Sequence, residues 1–221
     1  MARTPRIVLP HHPHHVVLRG SNRRALFSYQ DDFAHFLYQL GRGALFSKCE
    51  INGATLMTNH VHLVVTPPDE LALAKFVKHV AQRYAQRRNQ LRRGSGHQFE
   101  ARFFSRPIRT DLQLALTLQY IDLNPVRAGI SRDAGGYRWS TYGLHAATAT
   151  SFPSSLWTPT HWYLGLAATR DDRATKYAQW VRDCHVRHAR PTEPSAADEK
   201  ATLKALTCHT RIRRPDGTRA A

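Results

Sequence analysis

The stretch Leu56-Met57-Thr58-Asn59-His60-Val61-His62-Leu63-Val64-Val65 constrains this chain more than any other. It reads as the end of one strand, a tight turn at Thr58-Asn59 and a second strand. Side chains along a strand alternate faces with a period of two, so His60 and His62 point to the same side. Two neutral imidazoles side by side make half of a metal site, which a carboxylate, amide or water from elsewhere can complete. The same pattern also suits two polar residues on the solvated face of a half-buried strand. The pair alone leaves both readings open.

Charge narrows the choice. The 221 residues allow one sizeable domain with appendages, or at most two small ones. Lys and Arg number 32 against 16 Asp and Glu, a net charge of +16 and a pI near 10.6. A chain this basic points to a polyanionic partner, with nucleic acid the default. Cys49, Cys184 and Cys208 are odd in number, widely spaced and without a Cys-x-x-Cys pair, which argues against a disulfide framework or zinc knuckle and fits a reducing cytoplasm. Only Ile7-Val8-Leu9 follows the basic N-terminus before Pro10, and no apolar run approaches membrane-spanning length. The expected location is cytoplasmic, on DNA, with no membrane partner.

Along the chain, His11-His12-Pro13-His14-His15 is interrupted by Pro13 and runs into Val16-Val17-Leu18, so it reads as the lead-in to a first strand rather than a chelating tract. Arg19 and the polar loop Gly20-Ser21-Asn22-Arg23-Arg24 suit phosphate contacts. A helix is predicted from Asp31, with Phe33, Phe36, Leu37 and Leu40 on one side and Gly41 and Gly43 as its stop. A strand over 49–57 leads into the hairpin, and a second helix runs from Asp69 or Glu70 to about Leu91. That helix and its end carry Lys75, Lys78, Arg83, Arg87, Arg88, Arg92 and Arg93 without one acid between them. Such a run predicts a phosphate-tracking surface.

Beyond Gly94-Ser95-Gly96, Phe99, Phe103 and Phe104 interleave with Arg102, Arg106 and Arg109. Aromatics alternating with arginines stack on unpaired bases and neutralise phosphates together; at least one of the three phenylalanines is expected in the core. A third helix is capped by Thr110 or Asp111 and stopped by Pro125. The segment 137–142 is expected to lie across the domain. Residues 146–160 read as a linker, followed by a helix over about 171–186, a polar linker over 190–195 and a basic tail.

At 100° per residue the third helix has two apolar stripes, one of Leu112, Ala115, Leu116 and Leu123 with Gln119, the other of Leu114, Leu118 and Ile121. Gln113, Thr117, Tyr120 and Asn124 fall between them as a polar strip, with Tyr120 and Asn124 neighbours at i and i+4. A buried tyrosine bonded to Asn124 accounts for this strip. So does a phenol that attacks a phosphodiester while a metal on His60, His62 and the Asn124 carboxamide polarises the phosphate. Two imidazoles and one amide oxygen, completed by water or phosphate, suit Mg²⁺ or Mn²⁺ better than a closed zinc site.

Met57-Thr58-Asn59-His60-Val61-His62-Leu63, Tyr120-Ile121-Asp122-Leu123-Asn124-Pro125-Val126-Arg127-Ala128-Gly129 and Tyr137-Arg138-Trp139-Ser140 together resemble the REP-associated tyrosine transposases, single-tyrosine relatives of the HUH endonucleases. His15-Val16-Val17-Leu18-Arg19-Gly20 and Asn22-Arg23 resemble that family's first strand and loop, and the match runs in order from about residue 14 to 142. The resemblance implies an α/β (α+β) domain of ferredoxin-like or RRM-like type, an antiparallel sheet with packed helices, over 1–145. Residues 146–221 form a linker and a helical, basic C-terminal extension. It implies His60 and His62 as metal ligands, Asn124 as the third, and Tyr120 as a nucleophile that leaves a 5′-phosphotyrosyl link and a free 3′-OH. The implied substrate is a palindromic repeat folded as a hairpin beside a short single-stranded guide, processed by a monomer. Arg19, Asn22, Arg23, Arg24, Lys75, Lys78, Arg83, Arg87, Arg102, Arg106 and Arg127 are the expected DNA contacts. The sequence departs from the family at 99–105, a loose version of a Trp-Gln-like motif, and in its last seventy or so residues. Two other classes stay open: a single-stranded DNA- or RNA-binding module without chemistry, and a small metallohydrolase, for which Glu50 is the obvious carboxylate.

Overall fold

In a computed structural model, which describes residues 7–100 and 102–187, the chain runs β1 (His14–Arg19), α1 (Gln30–Ser47), β2 (Glu50–Leu56), β3 (His60–Thr66), α2 (Ala72–Leu91), β4 (Phe104–Pro107) and α3 (Asp111–Arg127). Short helices α4 (Tyr142–His145) and α5 (His161–Leu164) lead to α6 (Arg170–Arg187). The strands form one antiparallel sheet in the order β2-β3-β1-β4. A βαββαβ chain in this order is the ferredoxin-like arrangement that the sequence predicts.

Strand periodicity divides the sheet into two faces. Val16 and Leu18, Ile51 and Leu56, and Val61, Leu63 and Val65 are buried against Phe36, Leu37 and Leu40 of α1 and Leu73, Phe76, Val77 and Val80 of α2. On the other face, Val64 meets Leu114, Leu118, Ile121 and Leu123 of α3, backed by Tyr142, Tyr163, Tyr177 and Val181. Gly53 of β2 lets α3 approach closely, because a Cβ there would stand 2.6 Å from Leu118 Cδ2.

Three expectations change. Gly41 and Gly43 do not stop α1, which continues to Ser47 and ends at left-handed Lys48. A Cβ on Gly43 would lie 2.8 Å from Val80 Cγ2, so this glycine serves the close approach of α1 to α2. Pro125 lies inside α3, not after it. In the last turn a missing N–H removes a single ladder bond, and Ala128 N still donates to Asn124 O at 2.9 Å. Residues 146–160 are packed, not a free linker. Thr158 N donates to Ile51 O (2.8 Å), Trp157 Nε1 donates to Asn52 O (3.1 Å), and Phe152 is buried. These groups cover the outer edge of β2, an edge that would otherwise expose unpaired backbone. The expected polar linker and basic tail beyond 187 lie outside the described residues.

Candidate active site

The hairpin turn places His60 and His62 on the face that α3 packs against. The register Val17↔His62 and Arg19↔His60 brings the outward-facing residues of β1 alongside, and Val17↔Phe104 and His15↔Arg106 add those of β4. Thr110 caps α3 by accepting from Gln113 N (3.2 Å). The strip Gln113, Thr117, Tyr120 and Asn124 is half-buried, while Leu114, Leu118 and Ile121 beside it are buried.

These elements bring the predicted residues together. The His60 and His62 ring centroids are 4.8 Å apart and perpendicular, and His62 lies 5.4 Å from the Tyr120 ring. Asn124 Nδ2 stands 3.3 Å from His62 Nε2, one helical turn along from Tyr120. The Arg127 guanidinium sits 5.2 Å from the centroid of the Tyr120 ring, a cation–π contact that also puts positive charge beside the phenol.

Sequence reasoning missed two supporting residues. His15 Nε2 lies 3.0 Å from His62 Nδ1, and the two rings stack at 5.2 Å. Burial pushes the His15 pKa down to about 4, with Arg106 adding to the effect. His62 is also lowered, first by burial and then by His15, His60 and Arg19. Both rings are therefore neutral near pH 7. When His62 donates from Nδ1 to His15, its Nε2 lone pair faces Asn124. Asn59 acts similarly on the other ligand: its Nδ2 donates to Arg23 O (3.3 Å), which leaves Oδ1 to accept from His60 Nδ1 at 2.7 Å. A ring nitrogen that donates to an amide oxygen leaves the lone pair on the other nitrogen, so His60 presents Nε2. The available signal for His15 was its position one residue before Val16, out of phase with the buried pair Val16 and Leu18.

Among the described residues no group of three or more His, Cys, Asp and Glu side chains forms a metal site. An ion here would therefore draw on the two Nε2 atoms and the Asn124 amide, since a half-turn of that amide presents Oδ1 where Nδ2 now stands. That mixed nitrogen and oxygen set fits a divalent cation completed by phosphate oxygens. Glu50 pairs with Thr66 at the opposite end of β3 from His60, so it is not a partner for these histidines.

The cations divide by location. Arg19, Arg106 and Arg127 belong to the face described above, and exposed Asn22, Arg23 and Arg24 form the loop that Asn59 ties to His60. Asn22 and Arg23 both hold left-handed backbone, with φ of 52° and 57°. Arg102 is exposed just before β4. Lys75, Lys78, Arg83 and Arg87 are exposed on α2, behind the sheet, and are not brought to the histidines. Arg88 is buried and donates to the carbonyls of Ala25 and Leu26, with Asp32 at 3.4 Å, while Arg92 meets Asp32 at 3.2 Å. Two of the seven cations in that run therefore hold the start of α1, Arg88 through the loop before it and both through Asp32 in its first turn.

A family model described as transposase, IS200-like, matches residues 9–124, slightly more than half of the chain. The chain belongs to the IS200-like transposase family. This transposase-family chain has a transposase-like, DNA-processing function. Its fold is similar to that of a REP-associated tyrosine transposase solved bound to a REP hairpin, with a TM-score of 0.55 at 17% identity over 72% of this chain and 93% of the other. A structure described as a transposase from Deinococcus radiodurans R1 matches at TM-score 0.39 and 15% identity, over 55% of this chain and 96% of that one. No curated protein matches. Among the described residues no helix is long and apolar enough to cross a membrane.

Proposed function

We propose that this transposase cleaves and rejoins single-stranded DNA through a covalent bond to Tyr120. The observation that carries the reading is the convergence on one sheet face of the Tyr120 ring, His62, His60 and Asn124, with Arg127 over the phenol. His60, His62 and Asn124 would hold Mg²⁺ or Mn²⁺, which supplies Lewis-acid polarisation of the scissile phosphate. Tyr120 Oη forms the new bond to phosphorus and gives up its proton to solvent. The P–O3′ bond breaks and the departing 3′ oxygen takes up a proton. One phosphodiester is exchanged for another, so attack by a 3′-OH reverses the step without an energy source. Arg127 and Arg19 supply positive charge where the phosphate must sit, and His15 and Asn59 hold the two imidazoles in register.

The similar transposase solved with a REP hairpin, and the surplus of basic residues in this chain, support hairpin DNA from palindromic repeats as the substrate; action as a monomer at the nucleoid completes the proposal. A metallohydrolase using Glu50 lacks support, because that carboxylate belongs to the far end of the sheet. Incubation with a hairpin-bearing single strand and Mn²⁺ should yield a covalent protein–DNA adduct on a denaturing gel. Tyr120→Phe should reduce the adduct to background while leaving hairpin affinity intact. An adduct that survives this substitution, or wild-type protein that forms none with its cognate repeat, overturns the proposal.

A further inference from the structure

The face that carries His62 is only half covered. α3 packs mainly on β2 and β3, so the outward-facing residues of β1 are only half-buried and those of β4 are exposed. Those residues are His15, Val17 and Arg19 on β1 and Phe104 and Arg106 on β4, and none is acidic. Phe104, on the edge strand β4 of this face, is 52% exposed. The other two phenylalanines of its segment, Phe99 and Phe103, pack against the core behind the sheet. The Phe104 ring meets His15 edge-on at 6.1 Å, and the same His15 ring is 6.1 Å from Tyr120 and stacked on His62. Phe104, Val17 and His62 form one cross-strand row. With strands about 4.8 Å apart, the phenyl ring stands two strand spacings, roughly 10 Å, from the histidine row.

We infer that Phe104 is a stacking platform for one unpaired base adjoining the scissile phosphate, with the β1–β4 half of the sheet as the channel for that strand. This rests on the reading of Tyr120 as the nucleophile only for where the scissile phosphate lies. The occupant is a single strand rather than a duplex or a protein, on two grounds. An exposed π-face binds a base only when that base is unpaired, and the flanking charges, Arg19 and Arg106, match a phosphate backbone. The strand runs along the sheet with its phosphates towards these arginines and one base turned onto the ring. Arg106 follows Phe104 by two residues on the same face, so base and phosphate recognition come from one short strand.

The test is an abasic scan of binding to full-length protein without divalent metal, read by fluorescence anisotropy. The probes are hairpin oligonucleotides in which a single abasic site is moved one nucleotide at a time through the single-stranded flank. Phe104→Ala should weaken binding to the intact strand roughly 5- to 150-fold, the range expected for loss of one base–aromatic stack. The same substitution should cost nothing on the strand that is abasic at the stacked position, and Phe104→Trp should retain wild-type affinity. An unchanged melting temperature for Phe104→Ala confirms that the half-exposed ring is not needed for folding. A penalty equal at every abasic position, a penalty that persists on a fully duplexed strand, or no penalty at all overturns the inference. The readout needs neither metal nor the Tyr120 hydroxyl, so it separates from the adduct assay. Tyr120→Phe should show the same abasic profile as wild type.

Discussion

On the face that carries His62, the β2–β3 half of the sheet and the β1–β4 half have opposite fates. β3 is buried at every residue from Val61 to Val65, since α1 and α2 cover one face and α3 the other. β1 is buried only at alternate residues, and β4 leaves Phe104 and Arg106 exposed. The difference traces to Gly53, which admits α3 over β2 and β3, and it separates two tasks. The covered half fixes the imidazoles and the phenol, whose relative positions must be held closely for chemistry. The open half keeps cations and an aromatic ring accessible to a flexible chain.

The largest effect expected from breaking this division is on the brace behind α3. Asp122 is fully buried, accepts from Tyr177 Oη at 2.6 Å, and leaves Oδ1 without a partner. Burial pushes its carboxyl up to about 8, against a lowering from the Tyr177 bond. The folded state therefore holds a proton that the unfolded chain releases above pH 3.8, and stability falls by about 1.4 kcal/mol per pH unit across that window. His145, stacked on Tyr177 at 4.6 Å and lowered by burial to about 4, works in the opposite direction and costs stability as pH drops below 6.5. Asp122→Asn preserves an acceptor for Tyr177 and removes the titration. Its melting temperature should match wild type near pH 4 and exceed it by roughly 10–20 °C at pH 8. A difference that does not vary with pH would show that the carboxyl titrates as if in water, and the brace would not be dry.

The next effect is smaller and separates the two halves directly. His15 projects from the open half but supports His62 on the covered half. His15→Ala should weaken Mn²⁺ binding to DNA-free protein by roughly 10- to 100-fold by calorimetry, the usual cost of losing an orienting partner of a ligand. His15→Gln, which can still accept from His62 Nδ1, should recover most of that loss, and Phe104→Ala should leave metal affinity unchanged. Equal affinity in all three proteins would reduce the His15–His62 contact to packing.

How much of this was legible in the sequence depended on whether a signal was local. The pairing of His60 with His62, the polar strip on α3 and the cap at Thr110 follow from periods of 2.0 and 3.6. Their meeting across the sheet followed only from family resemblance. The roles of Gly43 and Gly53 were not legible, because a close approach between elements leaves no mark on either segment alone. His15 escaped notice because the histidine tract before it has its own bland explanation. The linker over 146–160 was misread because Ala, Thr, Ser and Pro dominate its composition, whereas Phe152 and Trp157 decide its packing. Arg88 looked like any other cation of α2 until its burial showed what it holds.

The smallest effect concerns the cations behind the sheet. Lys75, Lys78, Arg83 and Arg87 lie on the layer opposite Tyr120, away from the open channel, where a duplex stem extending past the domain edge would meet them. We propose that they bind the phosphates of the stem. Replacing all four by Gln should leave binding of a short stemless strand unchanged and weaken binding of the hairpin only a few-fold near physiological salt. Exposed cations act on phosphates mainly by counterion release, so the slope of log K against log salt for the hairpin should fall by about 0.9 for each phosphate no longer neutralised. Arg106→Gln should do the reverse, weakening the stemless strand and the hairpin alike. Equal losses on both probes in the fourfold variant would mean that the DNA path crosses from one layer to the other, and the division of labour between the two faces would fail. No loss on either would leave these four as solvated charges, with the open half of the sheet carrying the whole of the electrostatic attraction.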